Sequence, residues 1–591
     1  MFEFSLLGLC ATTLSLVAAA PGQLPSSSQL AAPEIAKRCV NSASDRSCWG
    51  DYSLSTDYYD IDAVPDTGVV REYWFNVENG TAAPDGIERT VLTVNGSVPG
   101  PTIIADWGDT VVVHVTNSMQ NNGTGIHFHG VRQLNNTQND GVPSITQCPI
   151  APGDTLTYTW KATQYGSSWW HSHFYVQAWD GVLGGILING PATANYDEDL
   201  GNLFLMDWSH NTADQVLLTA TFSDTAVVMP TSLINGTNVY NNSGVEVGSR
   251  FETTFEAGKK YRLRLVNSGA SNHFRFMIDN HTMEVISADF VPIHPYNTTD
   301  LSIGAGERYD VVVTASSQEG GNFWMRSIPQ TNCTKTTNVN DVLGIVRYTA
   351  SSANSSTAAD ADSAATSLPT TTAYAYTDTC ADEDPANLVP YLVSDPAVTY
   401  DVRDDEVTAV INGDVVSWTM GGSSFQVDWA NPSLQQVLDA DNSGVATNWT
   451  ADQHALVLPN ANKWVYMYIQ TTSAQAHPIH LHGHDFWVLA SGWGSYATVN
   501  PALSFTNAPR RDVAMVPGDG YLVIAFLTDN PGTWLLHCHI AWHTSEGFAM
   551  QIIERESEIL PMIDEDQMNS TCANWDAYAN IDDVVQWDSG V

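Results

Sequence analysis

Residues His537-Cys538-His539, followed four positions later by His543, constrain this chain more than any other segment. Successive side chains of a β-strand point to opposite faces, so Cys538 faces one way and its two histidine neighbours the other. One strand would then serve two adjacent metal sites, giving a thiolate to the first and two imidazoles to the second.

Three further motifs, His127-Phe128-His129, His171-Ser172-His173 and His477-Pro478-Ile479-His480-Leu481-His482, bring the total to ten of the 17 histidines. On a strand each His-x-His pair presents two imidazoles side by side, about 7 Å apart. One such pair is weak evidence, since lone histidines are mostly structural, whereas four in one chain point to ligation. Eight imidazoles suit copper, zinc, iron or nickel alike. Cys538 separates them, because His477, Cys538 and His543 form the trigonal set of a blue-copper electron-transfer centre. His114, His210, His273, His281, His294, His454 and His484, with Asp485, read as structural.

Helical periodicity is nearly absent. Short β-branched and aromatic runs such as Thr110 to Val115 and Tyr309 to Thr314 recur between Gly, Pro, Asn and Asp clusters, which predicts an all-β protein of sandwiches or barrels. A length of 591 residues exceeds one core, and at roughly 100–200 residues per domain three are expected. A weak repeat agrees: Pro152-Gly153-Asp154 precedes Trp169-Trp170-His171, Pro517-Gly518-Asp519 precedes Trp534 and His537, and Gly306-Glu307 precedes Phe323-Trp324. The middle copy has Met325-Arg326-Ser327 in place of His-x-His, so the metal sites belong to the outer domains. Ala350 to Thr372, almost wholly Ser, Ala, Thr and Asp, reads as a linker.

Phe4 to Ala20 is an apolar run ending in Val17-Ala18-Ala19-Ala20, a signal-peptide pattern too short to span a bilayer. Lys37-Arg38 suits propeptide removal, and about a dozen Asn-x-Ser/Thr sequons from Asn79 to Asn569 suit a secreted, extracellular glycoprotein. The net charge of −43 opposes binding to nucleic acid or an anionic membrane. Of eight cysteines, Cys10 lies in the leader and Cys538 among histidines; Cys39, Cys48, Cys148, Cys333, Cys380 and Cys572 remain for three disulfides, Cys39 with Cys48 being the local pair.

With these motifs in place, the chain resembles the multicopper oxidase family, and most of all ascomycete laccases, over nearly its full mature length; HPIHLHGHDF and HCHIAWH carry most of the likeness. The resemblance implies three consecutive cupredoxin-like Greek-key domains: 39–192, 193–350 and, after a linker at 351–385, 386–591, preceded by a signal peptide 1–20 and propeptide 21–38. It implies four copper ions. The type 1 copper would take His477, Cys538 and His543, the type 2 copper His127 and His480, and the type 3 pair His129, His171, His173, His482, His537 and His539. It pairs Cys148 with Cys572 and Cys333 with Cys380. It places Phe548, which has no donor atom, at the axial position of type 1 copper, Met550 being a core residue; Asp140 as a proton relay; and Asp588-Ser589-Gly590-Val591 as a C-terminal plug. Many laccases carry an acid near the type 1 histidine where this chain has Ser271. The implied activity is one-electron oxidation of phenolic donors, entering at His543, with reduction of dioxygen to water, in a monomer. The alternatives are a ferroxidase, an ascorbate oxidase, or a non-enzymatic copper-binding protein.

Overall fold

A computed structural model describes residues 39–223, 227–316, 321–349, 367–398, 401–412, 415–582 and 584–591. The expected signal peptide and propeptide, and 351–366 of the linker, lie outside the described residues.

Alternation of side chains builds the strands. In Thr110–Asn117 the valines at 111, 113 and 115 are wholly buried while Thr110, Val112, His114 and Thr116 are half-exposed, as a strand with one face on a core requires. The strands assemble into three consecutive two-sheet sandwiches. The first packs Arg89–Val94, Val70–Ala82, Thr110–Asn117 and Thr155–Lys161 against Gly100–Asp106, Leu183–Asn189, Gly166–Ser172 and Ile126–Phe128. The second and third each pair a six-stranded with a five-stranded sheet.

Two parallel pairings recur in all three sandwiches. Val70–Ala82 runs parallel to Thr110–Asn117, Glu198–Trp208 to Lys260–Asn267, and Asp401–Asn412 to Trp464–Thr471. Gly100–Asp106 likewise runs parallel to Leu183–Asn189, Glu252–Glu256 to Leu343–Thr349, and Ala455–Leu458 to Ala549–Glu554. The weak sequence repeat is therefore a repeat of topology. In the middle sandwich Met325 and Ser327 point into their own core, and Arg326 is held by Asp279 at 2.7 Å through two nitrogens.

Residues 367–385 form no regular element, yet they are fastened to the second sandwich. Thr371 donates to Asp279 (2.8 Å), Asp378 accepts from Thr331 and Asn332, and Ser302 N donates to Glu383 (2.7 Å). Disulfides join Cys39 to Cys48, Cys333 to Cys380 and Cys148 to Cys572. The last of these returns the C-terminal helix Glu565–Asp582 to the first sandwich, where Trp575 is buried beside Phe174 and Trp429. Cys538 is free and buried.

Candidate metal centres

Four strands carry nine of the ten motif histidines, within or just beyond them: β1 (Ile126–Phe128), β2 (Gly166–Ser172), β3 (His477–Leu481) and β4 (Gly532–Cys538). β1 lies beside β2 with His127 opposite His171. β3 lies beside β4 with His480 opposite His537 and Ile479 opposite Cys538. Register alone thus places imidazoles beside imidazoles and turns the thiol to the other face.

On that other face, Cys538 Sγ lies 3.5 Å from His543 Nδ1 and 3.8 Å from His477 Nδ1, all three side chains buried. The short helix Ala541–Ser545 brings His543 back, and Phe548 N donates to the His543 carbonyl (2.9 Å). Burial lowers His477 to about 3 and pushes the Cys538 thiol well up. Two neutral imidazoles and a thiol held in an apolar core favour a cation, which would reverse the cost of the thiolate. The Phe548 ring lies 5.1 Å from that of His477, and Met550 packs in the core opposite Leu536.

The second group holds eight imidazoles where the first and third sandwiches meet. His127, His129, His171 and His173 come from the first; His480, His482, His537 and His539 come from the third. Three subsets have ligand atoms within 4.8 Å of one another: His127, His480 and His482; His127, His129 and His171; His173, His482 and His537. The rings of His129, His171 and His539 also lie 5.0–5.7 Å apart. Burial first, then neighbouring imidazoles, hold His129, His171, His173, His480, His482 and His539 far below the ordinary histidine range, so their lone pairs are available.

Two stacked ring pairs cross the domain boundary. His127 lies over His482 (centroids 4.0 Å) and His129 over His480 (3.9 Å). Asp140 backs the first pair: its Oδ2 accepts from His482 Nδ1 (2.8 Å), its Oδ1 is 3.2 Å from His127 Nδ1, and its carbonyl accepts from that nitrogen at 2.8 Å. Asp512 backs the second pair, here with its carbonyl alone as the hydrogen-bond acceptor. Its carbonyl accepts from His480 Nδ1 (2.8 Å), and its Oδ1 is 3.3 Å from His129 Nε2, off the line of a straight hydrogen bond. Asp140 is also a turn former, closing the 3₁₀ turn Thr137–Asp140 before Gly141, where φ is +82° and a Cβ would sit 1.7 Å from the Ile126 carbonyl oxygen.

A shallow cleft beside the thiol site is lined by Ala541 and Trp542 of the His543 helix, by Ala270, Trp179 and Arg89, and by Asp207. Ser271 is turned away to donate its hydroxyl to Asp207 (3.1 Å), which also accepts from the backbone N–H of Ala270, Ser271 and Asn272 at 2.7–2.9 Å. Asp207, from a neighbouring strand, thus brings to the cleft a carboxylate that position 271 lacks. The sequence reading missed both Asp207 and Asp512.

The tail is docked. Ser589 N and Oγ donate to the carbonyls of Ser545 and Thr544, Ser144 and Trp429 donate to the Gly590 carbonyl, and Val591 lines a cavity with His171, His173, His537 and His539. Among the remaining histidines, His114 pairs with Glu72, His210 with Asp85, His273 with Ser302 and His484 with Glu554. Asp485 is buried, 4.0 Å from Arg132 Nε.

The donor set fits metal ions. Nε2 of His127, His171 and His480 and both nitrogens of His539 are buried without a hydrogen-bond partner among the described residues, a cost that ligation would remove. Family models described as multicopper oxidase match residues 76–193, 199–351 and 426–558. Laccase-2 of Botryotinia fuckeliana is 47% identical over 94% of each chain, and the laccase of Cryphonectria parasitica 40% identical over 93% of this chain and 94% of its own. The crystal structure of the Botrytis aclada laccase superposes with a TM-score of 0.86 at 45% identity, covering 94% of this chain and all of that one. The chain belongs to the multicopper oxidase family, its three sandwiches being cupredoxin-like domains. Within that family it is a laccase-like oxidoreductase that binds copper, and the ferroxidase, ascorbate oxidase and storage alternatives are not supported.

Proposed function

We propose that this chain withdraws electrons singly from phenolic donors at the cleft beside His543 and passes them through Cys538 to dioxygen at the imidazole cluster. The observation that carries the reading is β4, which holds Cys538 Sγ in one site and the neighbouring imidazoles in the other. His477, Cys538 and His543 would hold type 1 copper, His127 and His480 type 2, and His129, His171, His173, His482, His537 and His539 the type 3 pair. Four ions so bound would supply one-electron acceptance at the first site and reduction of dioxygen to water at the second. Phe548 offers the first site no axial sulfur. The purified protein should be blue, carry four coppers, and consume dioxygen when given a phenol; oxygen uptake indifferent to the phenol would overturn the reading.

Asp207 is the one carboxylate among the described residues that lines the cleft, and it takes the proton that a phenol sheds on oxidation. Asp207→Asn is expected to lower kcat/KM for phenols roughly 10²-fold while sparing a donor that releases no proton. Steady-state rates for the two donor types check this, and equal losses would make Asp207 purely structural.

The docked tail closes the cavity beside His171 and His539 as a plug. Burial raises the Asp588 carboxyl to about 7, against about 3.9 for an exposed aspartate. The docked tail therefore holds a proton that a free tail gives up, so docking weakens as pH rises from about 4 to 7 and levels off above. Carboxypeptidase release of Val591 should accelerate across that window and become independent of pH in Asp588→Asn.

A leader at 1–20, a propeptide at 21–38 and the three disulfides support secretion, with the protein working extracellularly as a glycosylated monomer. No described helix is long and apolar enough to cross a membrane.

A further inference from the structure

The middle sandwich has no motif histidine, yet its turn Gly306-Glu307-Arg308 reaches the imidazole cluster. A Cβ on Gly306, whose φ is +87°, would sit 2.8 Å from His539 Cδ2. Arg308 grips Asp512 with both terminal nitrogens: Nη2 is 2.6 Å from Oδ2, and Nη1 bonds Oδ1 at shorter range. Asp289 fixes this arginine by accepting its backbone N–H (3.0 Å) and also accepts the N–H of Asp512 (3.1 Å). A side chain on Gly130, next to His129, would collide with both Arg308 and Asp512, so the fit is tight on the histidine side.

We propose that Arg308 is a positioning residue for the imidazole cluster, acting through Asp512 to fix the stacked pair His129 and His480. The inference rests on the copper reading above. Asp140 and Asp512 occupy equivalent places, each backing one stacked pair and each lending its backbone carbonyl to one ring. Their carboxylates differ: that of Asp140 accepts from His482 and among the described residues pairs only with histidines, whereas that of Asp512 stands 3.3 Å from His129 Nε2 and is clamped by a guanidinium from another domain. A planar fork fixes a carboxylate in both position and rotation, which a point charge does not. The middle domain thereby sets the spacing between one type 2 ligand, His480, and one type 3 ligand, His129.

Three variants of the copper-loaded, full-length protein test this: Arg308→Met, Arg308→Lys, and Arg308→Met with Asp512→Asn. The last restores charge balance, so it separates positioning from the cost of a stranded buried carboxylate. Copper retained after dialysis against a chelator, the type 2 electron paramagnetic resonance signal, and the blue absorbance as an internal control are read together. All three variants are expected to keep the blue band but to hold the remaining copper about 10-fold less tightly, with a weakened type 2 signal. Full recovery of the type 2 signal in the double variant or in Arg308→Lys would reduce Arg308 to a counter-charge and overturn the proposal. Loss of the blue band together with the rest would show a folding defect and overturn it as well, as would an unchanged Arg308→Met. Absence of four coppers in the parent protein would instead overturn the copper reading itself.

Discussion

Cys538→Ser is expected to yield a folded, colourless protein whose oxygen uptake with any phenol falls to background. Serine is nearly isosteric with cysteine, and position 538 lies within a large apolar cluster, so strand register and packing survive. The chemistry does not. A hydroxyl is not ionised by a borderline metal as a thiol is, and oxygen lacks the soft, covalent overlap that marks the trigonal site. His477 and His543 would remain as two neutral imidazoles without their anionic partner. The imidazole cluster keeps all eight rings, so copper analysis should find about one ion fewer, with the type 2 signal intact. A variant that stayed blue would remove Cys538 from the reading.

Asp140→Asn should separate the two halves of the reaction. Anaerobic reduction of the blue site by a phenol is expected to proceed at the parental rate, while reoxidation by dioxygen slows roughly 10²-fold. The carboxylate accepts from His482 Nδ1 through Oδ2 at 2.8 Å, while Oδ1 lies 3.2 Å from His127 Nδ1, whose proton goes to the Asp140 carbonyl. An asparagine offers one oxygen and one N–H₂, so either His482 loses its acceptor or a donor is set against the N–H of His127. It also cannot hold a proton and return it. Stopped-flow measurement of both half-reactions across pH decides the matter, and a reoxidation rate equal to the parent's at every pH would leave Asp140 only its place in the turn.

The sequence spoke clearly where residues act through spacing along one strand. The His-Cys-His triplet implied two faces, and β4 displays them. The missing histidines at Met325 and Ser327 implied a middle domain without ligands, and that strand buries both side chains in its own core. It was silent where function depends on residues far apart in the chain. Asp207 sits 64 residues from Ser271, joined to it only by the fold, and no local pattern marks it as a carboxylate of the cleft. Asp512 follows Arg510 and Arg511 with no motif around it, and all three are buried. The described part of the linker shows the same limit: residues 367–385 form no regular element, yet Thr371, Asp378 and Glu383 find partners on the edge of the second sandwich. Polar residues look alike in a sequence whether water or a neighbouring domain satisfies them.

The stacked pairs give the cluster a second office. His127 over His482 and His129 over His480 each join a ring from one end of the chain to a ring from the other. Neither terminal domain owns a complete set, so an ion held there is a rivet between them, and its binding free energy is shared with the adhesion of the two domains. Affinity for metal and closure of the molecule are then linked: whatever pries the domains apart loosens the ions, and whatever strips the ions weakens the join that the disulfide and the docked tail still hold.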